Sequence, residues 1–188
     1  MCSSDLSLGP TEVDLVCSTP QGSETGVARH VLGTGAARPA NVAHSAVLAC
    51  LGSPEAHERT VRALTSSRDD EAAVAQVYLR HRPLADVGEL RAVTSGIARM
   101  TAAAAQVRAL ETLAKQRLAD PQSLQEIARL FPLARSLEVQ RAIAGILIRS
   151  DTKMLERGDL ARSLRQTRLK SPDGSDVIDV LIRLLQTT

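Results

Sequence analysis

The sequence predicts an all-α protein: a right-handed α-solenoid of stacked antiparallel helix pairs, entered through an irregular N-terminal segment. Three observations predict it. Val77, Leu110 and Ile143 recur at an interval of 33 residues, each inside a stretch of helical period. The strips around them are Asp70-Glu-Ala-Ala-Val-Ala-Gln-Val-Tyr-Leu79, Ala103-Ala-Ala-Gln-Val-Arg-Ala-Leu-Glu-Thr-Leu113 and Leu137-Glu-Val-Gln-Arg-Ala-Ile-Ala-Gly-Ile-Leu147. A second amphipathic segment follows each strip, and a repeat of roughly 20–50 residues built from helix pairs is the signature of a stacked array. Finally, the chain holds one Tyr, one Phe and no Trp. Its core must be built from Ala, Leu, Val and Ile, whose small volumes suit closely packed helices.

Residues 1–38 are rich in Gly, Ser, Thr and Pro, with turn signals at Gly9-Pro10, Pro20-Gln-Gly22 and Gly33-Thr-Gly35. This segment is expected to be irregular, or the cut edge of a larger domain. Within it, the loose alternation from Thr11 to Cys17 is compatible with a short strand, and Glu24 to Leu32 with one helix ended by Gly33. The opening Met1-Cys-Ser-Ser-Asp-Leu6 reads as a translated sequencing adapter with a GTG codon taken as the start. On that reading residues 1–6 are an artefact, Cys2 is not native and upstream sequence is missing, so they stand outside fold reasoning.

Residues 39–188 read as one helical domain of about nine helices joined by short loops, which favour antiparallel neighbours. The first helix carries Val42, Ser45, Ala46 and Ala49, or Leu48 and Leu51, and closes at Gly52. Ser53-Pro54 is a start signal, a capping hydroxyl followed by a proline where no backbone donor is needed. Asp69 is expected to cap the next helix, which Pro83 stops at about Arg82 because proline supplies no N–H. Asp86 opens a helix holding Leu90, Val93, Ile97 and Met100. Thr101 is expected to cap the longest helix, Ala102 to Leu118, on the strength of its alanine run. Asp120-Pro121 restarts the pattern, Ser136 caps the Val139/Ile143/Leu147 helix, and Gly158-Asp159 precedes Leu160 and Leu164. The turn Lys170 to Gly174 leads into a capping helix over residues 175–186. The expected core of the repeated strips is Val74, Val77, Val107, Leu110, Val139 and Ile143.

The strips from Asp70 and Leu137, above all Ser136-Leu-Glu-Val-Gln-Arg141, resemble the first helix of a bacterial HEAT-like repeat: an acidic residue, Val, Arg, then small residues and a Leu. The resemblance covers residues 69 to about 169, and residues 39–68 more loosely. The second helices match by apolar spacing alone, and Ser150-Asp151 stands where many such repeats have Gly-Asp. The resemblance implies an interaction scaffold and transfers no catalytic residue and no cofactor.

Charge adds little direction. With 23 basic and 21 acidic side chains, the chain has no overall pull toward nucleic acid. Scarce aromatics also remove the stacking platforms that single strands need. No apolar run reaches the length of a membrane span. The three cysteines, Cys2, Cys17 and Cys50, form no C-x-x-C pair and are odd in number, which argues against a disulfide framework. Cys50 reads as a small buried hydrophobe. His30, His44, His57 and His81 are dispersed and lack the short spacing of a zinc site. No G-x-S-x-G elbow or phosphate-binding glycine loop is present.

Arg80-His81-Arg82 and Asp69-Asp70-Glu71 read as charges complementing helix ends. The densest basic stretch is Arg157, Arg162, Arg165, Arg168 and Lys170, broken by Gly158 and Leu169. The favoured function is a non-catalytic scaffold for a protein or peptide partner, with Arg91, Arg129, Arg162 and Arg165 as candidate partner-binding cations. The alternatives are a C-terminal docking or regulatory part of a larger enzyme, a nucleic-acid-binding helical repeat, and an accessory to cofactor attachment. Partner, compartment and oligomeric state stay open at this stage.

Overall fold

The computed structural model describes residues 8–19, 25–33 and 41–187. Residues 1–6 lie outside them. Among the described residues there are eleven α-helices and no strand. They are α1 (Pro10–Ser18), α2 (Gly26–Gly33), α3 (Val42–Cys50), α4 (Pro54–Arg62), α5 (Asp69–His81), α6 (Val87–Ala98), α7 (Ala103–Ala114), α8 (Pro121–Leu130), α9 (Leu137–Arg149), α10 (Arg157–Thr167) and α11 (Val177–Gln186). The chain divides into two compact units, Met1–Pro83 and Leu84–Thr188. That division falls inside the stretch 39–188 read from sequence as one domain.

In the first unit, Thr11 to Cys17 is helical, not a strand, and the described part of the segment expected to be irregular forms α1 and α2. Val13, Val16 and Cys17 are buried while Leu15 is 49% exposed, so spacings of three and four residues face inward. The start of α1 is secured by Pro10 in the first turn and by the Gly9 N–H, which donates to Glu12 Oε2 at 2.8 Å. α1 packs on α3 and α5, α3 packs on α4, and α2 leans on α3. Gly33, expected to end α2, is its last helical residue. Gly52 closes α3 with φ +106°, a conformation glycine adopts without steric cost. Ser53 caps α4 by accepting from the Ala56 N–H. Arg68, not Asp69, occupies the capping position of α5, and Asp69 is its first helical residue.

The first unit also overturns the reading of the cysteines. Cys17 of α1 and Cys50 of α3 form a disulfide, with Cα atoms 5.4 Å apart. Neither thiol carried a pairing motif in sequence, because the two meet only through the packing of α1 on α3. Cys50 is therefore a cross-link and not a free hydrophobe.

In the second unit, α6 packs on α8, α7 on α9 and α9 on α11. Chain neighbours also pack together: α6 with α7, α8 with α9, and α10 with α11. α10 meets the short 3₁₀ turn Phe131–Leu133 that ends α8. Each strip α7 and α9 thus pairs with the helix before it. Of the expected core, Val74, Val77, Leu110, Val139 and Ile143 are buried. Val107 is half-buried and is corrected to a surface-lining position. α7 is shorter than expected, Ala103–Ala114, with Ala102 at its capping position in place of Thr101. Asp86, Asp120 and Asp176 cap α6, α8 and α11 by accepting from Glu89, Ser123 and Ile178 N–H groups.

Candidate functional site

The candidate site is built on α7 and α9 of the second unit. Their inward residues Ala109, Leu110, Leu113, Ile143, Ala144, Ile146 and Leu147 are all buried, so the opposite faces are left at the surface. Between those faces runs a groove of about 630 Å³. Half-buried Val107, Ala114, Ala142 and Gly145 make its floor, and exposed Glu111, Lys115, Glu138 and Arg149 its rim. A Cβ added at Gly145 would meet no atom within 4 Å, so this glycine is not required by packing inside the protein. Among the described residues, none of the four rim side chains is in an ion pair.

Arg141 also lines the groove, but its charge is committed. Its Nε donates to Asp176 Oδ2 at 2.9 Å, and Lys170 Nζ lies 3.7 Å from the same oxygen. Burial pushes the Asp176 carboxyl up, but the Ile178 N–H and the Arg141 guanidinium outweigh it and hold it below its ordinary value. The same construction recurs at Asp120, which takes Arg91 Nε and Nη2 at 3.0 and 2.9 Å and caps Ser123. The Arg91 guanidinium holds the Asp120 carboxyl far below the usual carboxylate range, against the effect of burial. Asp179 is likewise held down, chiefly by Arg168, whose Nη1 donates to it.

Gln140 lies one residue from Arg141 and is fully buried. Its Nε2 donates to the carbonyls of Phe131 at 3.3 Å and Thr167 at 2.9 Å, and its Oε1 accepts from the Leu169 N–H at 2.9 Å. It therefore ties α9 to the end of α8 and to the end of α10, and so holds the wall of the groove in place.

A second cavity of about 500 Å³ lies at the loops joining α6 to α7 and α8 to α9. Met100, Leu130 and Val139 line it, with Leu133 74% exposed at its edge. In the first unit, a cavity of about 270 Å³ sits where the starts of α1, α3 and α5 meet, beside Arg68, Asp70 and Glu71. Arg68 is paired with Asp70 there at 3.0 Å.

The four candidate cations named from sequence lie elsewhere. Arg91 is held by Asp120, and Arg162 pairs with Asp159 at 3.0 Å. Arg129 and Arg165 are exposed on α8 and α10. None of the four lines the α7/α9 groove. The basic stretch after Arg157 is largely structural: Arg157 donates to the Leu184 carbonyl and Arg168 is buried against Asp179. Lys115, Arg149, Glu111, Glu138 and Gly145 were not singled out in sequence. The one available signal was Gly145, a glycine inside a strong helix, which costs about 1 kcal/mol relative to alanine and usually has a local reason.

Among the described residues no group of three or more His, Cys, Asp and Glu is placed to hold a metal ion. His57 is engaged with the buried Tyr78 hydroxyl through its Nδ1, the rings edge-on at 5.5 Å. Among the same residues no helix is long and apolar enough to cross a membrane. The fold and site define an all-helical protein with a charge-rimmed surface groove. No protein-family model, curated protein or solved structure matches the chain.

Proposed function

We propose that this chain is a non-catalytic protein-binding scaffold of HEAT-like repeats, and that a partner segment lies in the α7/α9 groove. The observation that carries the proposal is the packing order of the second unit. Alternate helices meet, α6 on α8 and α7 on α9 on α11, while sequence neighbours close each pair. That order is what a solenoid of antiparallel pairs requires, with α11 as the closing helix. A row of like helices leaves a furrow between successive members, and such furrows accept extended or helical segments.

The groove's chemistry defines the occupant. Small floor residues at Ala114, Ala142 and Gly145 admit close approach of a partner's backbone or short apolar side chains. Lys115 and Arg149 at the ends of α7 and α9 call for carboxylates, and Glu111 and Glu138 for cations. A mixed-charge protein segment meets both demands, whereas a phosphate backbone would meet Glu111 and Glu138 with repulsion.

The test is a photo-cross-linking amino acid at Ala142, with Arg129 as the control position, in extract of the producing cell. The expected result is a discrete protein adduct at Ala142, absent at Arg129, and abolished by Gly145→Leu. That variant fills the groove while improving helix propensity, so loss of the adduct is not loss of fold. Equal adducts at both positions, or an adduct that survives Gly145→Leu, would overturn the assignment.

A further inference from the structure

Outside the groove, the strongest unexplained feature is the covalent link in the first unit. α1 is nine residues long, too short to hold helical structure alone. Its buried face is only Val13, Val16 and Cys17. Its remaining ties cluster toward its C-terminal half. His81 Nε2 bonds Asp14 Oδ1 at 2.7 Å, and Arg82 Nη1 donates to the Cys17 carbonyl at 3.5 Å. Asp14 is half exposed, so that pair is screened by solvent. The disulfide to Cys50, across a sequence separation of 33, adds to the buried Val13 and Val16 contacts a covalent tie that solvent does not screen.

From this we infer that Cys17–Cys50 is a redox clasp: oxidised, it holds α1 on α3 and α5; reduced, it releases α1 and leaves the rest of the unit folded. The inference is independent of the groove. α3, α4 and α5 also pack directly on one another, and Ala46 and Val47 of α3, Ala56 and Val61 of α4, and Ala72 and Ala75 of α5 are buried. Release would strip one wall from the cavity at the starts of α1, α3 and α5 and expose the apolar seat of Val13 and Val16.

The chemistry is thiol–disulfide exchange with a dithiol reductant. Cys17 is 6% exposed and Cys50 is half-buried, so Cys50 is the more exposed of the two residues and the one assigned to receive attack. The reductant's thiolate attacks Cys50 Sγ, the Sγ–Sγ bond breaks and the Cys17 thiolate leaves and takes a proton. The reductant's second thiolate then attacks its own sulfur of the mixed disulfide and expels the Cys50 thiolate, which is protonated. The chain gains two electrons and two protons, and the reductant departs as a disulfide. Oxidising compartments favour the clasped form and thiol-rich ones the released form.

The test is hydrogen exchange on the full chain, oxidised and after dithiothreitol, with Cys17→Ser/Cys50→Ser as the permanently open form. Denatured without reductant, the protein is expected to alkylate at Cys2 alone, and after reduction at all three cysteines. Exchange at α1 amides is expected to rise by roughly several hundredfold on reduction, the scale set by opening a loop of this length. The α3 to α5 amides are expected to change little, and the double serine variant to match the reduced protein. Three alkylated cysteines without reductant, unchanged α1 protection after reduction, or loss of protection throughout residues 41–83 would each overturn the clasp.

Discussion

Gln140→Leu tests the packing of the second unit at one atom group. The side chain is completely buried and makes three hydrogen bonds, two donated to Phe131 and Thr167 carbonyls and one accepted from the Leu169 N–H. Leucine has similar volume and none of these groups. Each lost bond costs about 1 kcal/mol net, giving about 3 kcal/mol. The Phe131 carbonyl keeps a partner in the Ala134 N–H, so the further penalty falls on the Thr167 carbonyl and the Leu169 N–H. A buried group left without a partner would add roughly 1–3 kcal/mol, but the stretch from Thr167 to Leu169 is half-exposed and water reaching it cancels most of that. The leucine returns roughly 1 kcal/mol of apolar burial. The net expectation is a loss of about 2–4 kcal/mol. Native-state hydrogen exchange reads it by location: amides of α9 and α10 should lose protection by about thirtyfold to a thousandfold. Amides of α3 to α5, in the other unit, should not change. A variant with wild-type protection in α9 would refute the bracing role, and with it the account of how the groove's wall is held.

Three further outcomes follow from the same structure. Leu110→Asp places a carboxylate at a position with no exposure, and should unfold the second unit; a far-UV circular dichroism melt identical to wild type would remove Leu110 from the core. Gly145→Ala adds a methyl group where nothing lies within 4 Å, and should stabilise the second unit by about 1 kcal/mol; a lower melting temperature would mean that the position is strained or covered. Asp120, Asp173 and Asp179 are held below their ordinary values by Arg91, Lys170 and Arg168 respectively. A depressed carboxylate contributes its stability fully above its unfolded value and loses it as pH falls toward the folded one. The second unit should therefore be unchanged in stability from neutral pH to about pH 4 and weaken below it. Asp120→Asn should flatten that acid slope in thermal melts, and an unchanged slope would count against the Arg91 pairing.

The legible parts of the chain are those decided within a few residues. Ser53-Pro54, Asp86 and Asp120-Pro121 were readable as helix starts because a side-chain oxygen and its N–H target lie three residues apart. Burial of Leu110 and Ile143 was readable because the apolar stripe repeats. Where two local signals compete, sequence is weaker. Thr101 and Ala102 both precede an alanine run, and the extra residue went to the loop. Thr11 to Cys17 carries apolar residues at Val13, Leu15, Val16 and Cys17, which fits both periods until α3 and α5 choose the face.

The all-helical character and most helix boundaries were thus determined by the sequence itself, since hydrogen bonds within a helix join residues four apart and caps lie closer still. The disulfide, the Arg–Asp clamps at Asp120 and Asp176, the three-way role of Gln140 and the groove beside Gly145 were decided only by tertiary structure. Apart from the Gln140–Phe131 bond, which spans nine residues, each joins groups between 27 and 35 residues apart along the chain, or, for the groove, two helices. No local pattern encodes which distant side chain will arrive, because that depends on how whole helices are set against one another.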